Sequence, residues 1–208
     1  MLSVLVANTK GGCGKTTIST HLAAAFAAAG HATALADADR QRSSLAWVGL
    51  RPGTAAPIVA LDWVDELTAP PRGTARLVID AAAAMKRKHV FELVKEADVI
   101  IVPVLPSAFD QSSTAVFLDR LHELKAIRKS RKPVGILRNR VRPRTKAAVR
   151  LLRFLDRLEH EDLGGLPDRT IYTEVAADGL SIFDLPDKRA QALRADWAGL
   201  LAYVNAID

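Results

Sequence analysis

Cysteine is almost absent: Cys13 is the single one among 208 residues. That excludes an internal disulfide framework and leaves too few thiols for a cysteine-bound metal cluster within one chain. Long apolar runs are missing as well, and none approaches the ~18 residues that a membrane-spanning helix needs. The apolar opening, Leu2 to Ala7, is far too short for a secretory signal, and neither a charged leader nor a cleavage site accompanies it. There is no internal repeat and no linker rich enough to divide the chain. Between Arg128 and Arg153 there is no acidic residue and no aromatic one. These absences predict a soluble cytoplasmic protein with one domain over residues 1–208.

What is present suits such a domain. The apolar fraction of 49% is ample for a core, the charged fraction of 25% is ordinary, and the net charge of +6 points to an acidic partner such as nucleic acid or an anionic membrane. Short apolar, often β-branched runs predict strands at Leu2–Ala7, Ala32–Ala36, Ile58–Leu61, Ala75–Ile79, Val99–Val104 and Val134–Leu137, with a last one about Thr170-Ile171. Between them, helices are expected at 18–29, 41–48, 90–97, 112–127 and 145–158, and a final one at 188–204 places Leu193, Trp197, Leu200, Leu201 and Val204 on one stripe. Alternation of this kind predicts an α/β fold, a mostly parallel twisted sheet with helices on both faces. Its active site belongs at the carboxyl ends of the strands.

The most informative stretch lies between the first strand and the first helix: Lys10-Gly11-Gly12-Cys13-Gly14-Lys15-Thr16-Thr17. Strand, glycine loop, Lys-Thr-Thr and helix form the context of a phosphate-binding loop. Glycines let backbone N–H groups crowd around an anion, and the helix N-terminus adds unpaired donors and partial positive charge. Lys15 supplies a full charge for the β- and γ-phosphates, and the Thr16 hydroxyl is placed to ligate Mg²⁺. The loop therefore predicts a P-loop fold binding a nucleoside triphosphate with Mg²⁺. Cys13 reads as a small filler there.

Asp37 and Asp39 follow the second strand, where alternate residues point the same way, so both carboxylates can face one site. A Mg-nucleotide site needs one such group on the metal's water and another to orient the attacking water. Asp80 closes another apolar strand, the place of a Walker B aspartate that binds Mg²⁺ through water.

At these residues the chain resembles the ParA/MinD family of partition and cell-positioning ATPases. Lys10 matches the extra lysine of their deviant Walker A loop, and the resemblance implies that it reaches the phosphates held by the other subunit of an ATP dimer. It also implies that Asp39 is tied to hydrolysis and that Asn139, after the Val134–Leu137 strand, contacts adenine. Val102-Pro103-Val104-Leu105-Pro106-Ser107 resembles the turn near the dimer interface, and Ala177 to Asp184 matches a late family stretch. Two departures stand out: Arg40 replaces a proline of D-x-D-P-Q, and Ala81 to Ala84 replace small residues and prolines after Asp80. Without a separate N-terminal DNA-reading domain, the chain resembles the short, ParF-like members. Catalytic roles are thus expected for Lys10, Lys15 and Asp39, nucleotide contacts for Gly11, Gly12, Cys13, Gly14, Lys15, Thr16, Thr17 and Asn139, and metal contacts for Thr16, Asp37 and Asp80.

Eleven lysines and arginines fall between Arg128 and Arg153, Arg131 among them, against no acid. A one-sign run this dense signals a partner. Without aromatics for base stacking or a groove-reading motif, phosphate contact is the expected mode, with Arg142, Arg144, Lys146, Arg150 and Arg153 as candidates on nonspecific double-stranded DNA. Lys188, Arg189 and Arg194 are candidate extensions. The resemblance then implies a nucleoid-associated ATPase that closes as a homodimer on ATP, binds DNA and hydrolyses when stimulated by a ParB- or ParG-like activator, to segregate plasmid, chromosome or protein cargo. A MinD-like membrane cycle is the alternative, but Leu200 to Asp208 carry no Lys or Arg for lipid, so no stable membrane association is expected. A metabolic P-loop enzyme leaves Lys10 and the basic run without a role.

Overall fold

The computed structural model describes every residue except Ser130, Arg131, Asp187 and Asp208, and the side chains of Ala126 and Arg189; the readings placed on Arg131 and on the Arg189 side chain therefore lie outside the described residues. Seven strands, β1 (Leu2–Val6), β2 (Thr33–Asp37), β3 (Ile58–Asp62), β4 (Arg76–Asp80), β5 (Val99–Val104), β6 (Val134–Val141) and β7 (Glu161–Pro167), form one sheet in the order β3-β2-β4-β1-β5-β6-β7. Every pairing is parallel. Nine helices accompany it among the described residues: α1 (Lys15–Ala28), α2 (Ser43–Leu50), α3 (Arg87–Glu96), α4 (Ala108–His122), α5 (Lys125–Arg128), α6 (Lys146–Leu155), α7 (Ile171–Ala177), α8 (Lys188–Ala195) and α9 (Ala198–Asn205).

The pleat divides the central strands between two cores. Val4 and Val6 join Ile18, Leu22, Trp47 and Trp197 on the face covered by α1, α2, α7, α8 and α9. Leu5 and Ala7 join Leu93, Phe117, Leu121 and Leu151 on the face covered by α3 to α6. Burial on both sides explains why β1, β2, β4 and β5 read as mainly apolar runs rather than as alternating ones. Trp197, Leu200 and Val204 are fully buried, so the last helices pack on the sheet.

Four expectations need correcting. The strand placed about Thr170-Ile171 is the start of α7, and the seventh strand lies earlier, at Glu161–Pro167. Its sequence, EDLGGLP, has too few β-branched residues to announce a strand; register shifts against β6 and a left-handed Gly164 (φ 100°) accommodate the irregularity. The long helix expected over 112–127 starts earlier, at Ala108, and breaks at Leu124, which is extended and buried. The final helix breaks likewise, because a turn at Asp196 and Trp197 drives the indole into the core. Arg194 does not extend the basic surface: its guanidinium donates to the carbonyls of Ile182 (2.9 Å) and Leu185.

Candidate nucleotide site

Three adjacent strands end at one level. Val6 is in register with Asp80, and Asp80 with Asp37, so the loop after β1 and the two carboxylates converge at the carboxyl edge of the sheet. Gly14 caps α1 with φ 95°, and Gly12 has φ 76°; both are left-handed, which side chains resist. At Gly14 a Cβ would also lie 2.1 Å from Asn139 Nδ2.

Inside the loop, Lys15 is buried and its Nζ donates to the Lys10 carbonyl at 3.1 Å. Cys13 is buried, its thiol donates to the same carbonyl, and burial pushes its pKa up, as suits a filler rather than a nucleophile. Asn139, also buried, donates from Nδ2 to the Cys13 carbonyl at 2.8 Å and accepts the Arg140 N–H at 2.9 Å. The residue expected near the base is thus a brace for the loop in this structure.

Asp37 is fully buried. Its Oδ1 accepts the Asp39 N–H, and its Oδ2 accepts the N–H groups of Ser44 and Leu45, capping α2 from a distance. Asp39 is half-buried and accepts the Gln41 N–H. Asp80 is held differently: Oδ1 accepts from Ser19 Oγ at 3.2 Å, while Oδ2 is buried with no hydrogen-bond partner among the described residues. Burial, and secondarily the charge of Asp37, push its pKa up to about 7 against the opposing pull of the nearby Thr16 and Ser19 hydroxyls. An orphaned buried carboxylate oxygen near a threonine hydroxyl fits a divalent cation, so Thr16 and Asp80 are the residues that would hold Mg²⁺, with Asp37 in register beside Asp80.

Sequence reasoning missed three members of this site. Asn8, fully buried, accepts the Lys10 N–H and donates to the Pro103 carbonyl (2.8 Å) and to Thr114 Oγ1 (2.9 Å), tying the loop to β5 and α4. An amide ending an apolar strand was its only signal. Ser19, one turn after Lys15, reaches Asp80. Asp110 is buried, bonded to Ser107 Oγ, and close enough to Cys13 to raise its pKa. Ser107 itself caps α4.

The basic candidates follow the carboxyl end of β6 and continue into α6. Arg142 pairs with Asp168 at 2.6 Å, and Arg144 takes a left-handed φ of 64° in the turn before α6. Thr145 caps α6, whose Ala148, Leu151 and Leu155 face the core while Lys146, Arg150 and Arg153 are exposed. Two basic residues of the run are engaged elsewhere: Lys132 donates to the carbonyls of Val94, Lys95 and Ala97, and Arg138 pairs with Asp162.

A glycine phosphate loop between the central strand and first helix of a parallel α/β sheet defines a P-loop nucleotide-binding protein. Residues 4–182 match the CobQ/CobB/MinD/ParA nucleotide binding domain family, and the chain belongs to that family. It is similar to two proteins called Maintenance of carboxysome distribution protein A. The one from Halothiobacillus neapolitanus is 29% identical over 88% of this chain and 87% of its own length. The one from Gloeobacter kilaueensis is 31% identical over 93% and 89%. Among solved structures, a variant of Cyanothece McdA in complex with ATP shares the fold with a TM-score of 0.79 at 14% identity, covering 100% of this chain and 97% of the other.

Proposed function

We propose that this chain is a ParA-type positioning ATPase that closes as a dimer on Mg-ATP, binds nonspecific DNA in that state, and hydrolyses ATP when a partner protein stimulates it. The observation that carries the reading is the convergence of Lys10, Lys15, Asp37 and Asp80 at the ends of three adjacent strands. The two carboxysome-distribution relatives favour a protein assembly as cargo over a plasmid.

Each residue has work that suits its place. The backbone N–H groups of Gly11 to Thr17 wrap the phosphates, and Lys15 Nζ leaves the Lys10 carbonyl for phosphate oxygen. Thr16 and Asp80 would hold Mg²⁺, which would supply charge neutralisation at the phosphates. Lys10, at the loop's open edge, supplies a second positive charge across a dimer. Asp39 orients the attacking water, and Asn139 presents its remaining amide hydrogen and lone pair to adenine. Arg142, Arg144, Lys146, Arg150 and Arg153 meet DNA phosphates.

The test is binding to random-sequence duplex DNA with ATP, ADP or no nucleotide, across a salt series, for the native chain and Lys10→Ala. Binding that requires ATP, weakens steeply with salt and is lost in Lys10→Ala is expected. No DNA binding even at low salt would overturn the DNA-coating part of the reading, and absence of ATP turnover would overturn the ATPase.

A further inference from the structure

A groove runs between α3 and the α4–α5 pair, beside the phosphate site but outside it. One cavity of about 380 Å³ is lined by Thr9, Met85, Val90, Phe117 and Arg120. A second, of about 430 Å³, is lined by Lys88, Phe91 and Lys125. The two share Arg87, Glu123 and Leu124, so they are one continuous depression. Its floor is apolar: Phe117 and Leu124 are buried, Val90 and Met85 half-buried, and Phe91 stays 39% exposed.

The rim is unbalanced in charge. Arg87, Lys88, Arg120 and Lys125 face Glu123, and Glu123 is taken by Arg87 at 2.6 Å. Lys88 has Glu92 at 3.8 Å, and Lys95 lies over the Phe91 ring at 4.3 Å. Arg120 and Lys125 have no ion-pair partner among the described residues. Duplex DNA and a lipid surface suit projecting cations, not a recessed apolar floor. An apolar trough with surplus positive charge on its rim complements a helix with one apolar stripe and acidic flanks.

We propose that this groove docks an acidic amphipathic segment of a partner protein, and that the segment acts on ATP turnover. The second half rests on the ATPase reading above. Thr9 immediately precedes Lys10, and Met85 ends the alanine segment that follows Asp80. Within that segment the Ala83 Cβ lies 3.9 Å from where a Cβ on Gly11 would stand. An occupant touching Thr9 and Met85 therefore presses on both segments that frame the phosphates.

The experiment uses the full chain and a labelled helical peptide of about five turns, with Leu on one stripe and Glu elsewhere. Its controls are the same peptide with Lys for Glu, and a shuffled acidic peptide without the stripe. Fluorescence anisotropy is expected to show binding of the acidic amphipathic probe alone. Arg120→Glu combined with Lys125→Glu, both exposed positions, is expected to weaken it about tenfold or more, and Phe91→Ala to weaken it independently. ATP turnover is measured with and without the probe, and sedimentation follows self-association. No binding of the acidic probe, equal binding of the shuffled one, or binding indifferent to charge reversal would overturn the docking site. So would groove variants that only break up association between copies of this chain. Probe binding without any effect on a measurable turnover would overturn the coupling. A chain that binds the probe but never hydrolyses ATP would overturn the ATPase reading and leave the docking site standing.

Discussion

Asp80 is a buried carboxyl group that the folded chain holds protonated to higher pH than the unfolded chain does. Its pKa is pushed up to about 7, chiefly by burial, from an ordinary value of 3.8. Between those values the folded chain holds a proton that the unfolded chain has released, so this group's contribution to stability falls as pH rises from about 4 through 7. Asp80→Asn removes the effect. Without Mg²⁺ or nucleotide, the variant is expected to be more stable than the native chain at pH 8 by about 2–4 kcal/mol, with the difference closing near pH 4. Urea unfolding across pH checks this, and an unchanging difference would contradict it. His21 has the opposite slope, its pKa lowered to about 4 by burial, so its stability contribution is lost as pH falls from 6.5 to 4. It is present in both chains and cancels. The same Asn is expected to abolish Mg-dependent hydrolysis, which would make the destabilised carboxylate a cost of function.

Gly14 is constrained in two separable ways. Gly14→Ala meets both the left-handed φ of 95° and the Asn139 amide at 2.1 Å. Adding Asn139→Ala removes the collision but not the strain, which costs about 1–2 kcal/mol. Partial recovery of thermal stability in the double variant is therefore expected, with nucleotide affinity still lost; full recovery would show that φ is not limiting.

At the scale of elements, the segment after Asp37 is fastened to the far end of the chain. Arg51, just past α2, pairs with Asp184 at 2.6 Å with both side chains about 5% exposed or less (4% and 5%). Its guanidinium lies over the Trp47 ring, and Trp47 Nε1 donates to the Leu180 carbonyl. Gly179 leaves no room for a Cβ, which would come within 2.4 Å of the Leu50 carbonyl carbon. Removing one member of a buried pair strands the other, so Arg51→Ala is expected to cost about 3–5 kcal/mol by chemical denaturation. Adding Asp184→Ala should cost much less than a second such amount. Additive losses would show that the pair is not a unit.

This latch was invisible in sequence, because nothing local marks Arg51 and Asp184, 133 residues apart, as partners. The phosphate loop was legible because its chemistry is confined to eight consecutive residues. Asp37 and Asp80 were legible because each ends an apolar run. Asn8, Ser19 and Asp110 were not, since a single polar residue inside an apolar strand or helix gains meaning only from what the fold brings opposite it. The same reason hid β7, whose pairing with β6 is imposed by tertiary contacts rather than by its own propensity, and the helix breaks at Leu124 and Trp197, where burial of one side chain overrides a periodic stripe.

For the whole molecule, the decisive quantity is how many basic side chains act at once. The five candidates are all exposed and run from the turn after β6, at the phosphate-loop edge of the sheet, along α6. If all five meet phosphate, each protomer contributes about −4.5 to the slope of log affinity against log salt, and an ATP dimer about −9. A monomer held in ADP then binds with roughly half the slope and without avidity, so nucleotide state sets DNA affinity through geometry alone. Arg150→Ala with Arg153→Ala removes four contacts per dimer and should lower the ATP-state slope by about 3.6. Both side chains are exposed, so the fold is expected to survive. Basal ATP turnover should also be unchanged, because neither residue lies at the nucleotide edge. A slope that stays the same would place DNA on other residues, and Arg144 and Lys146, nearer the loop, are then the next pair to reverse. A slope that is already near −4.5 with ATP would mean that only one protomer of the dimer reaches the duplex at a time.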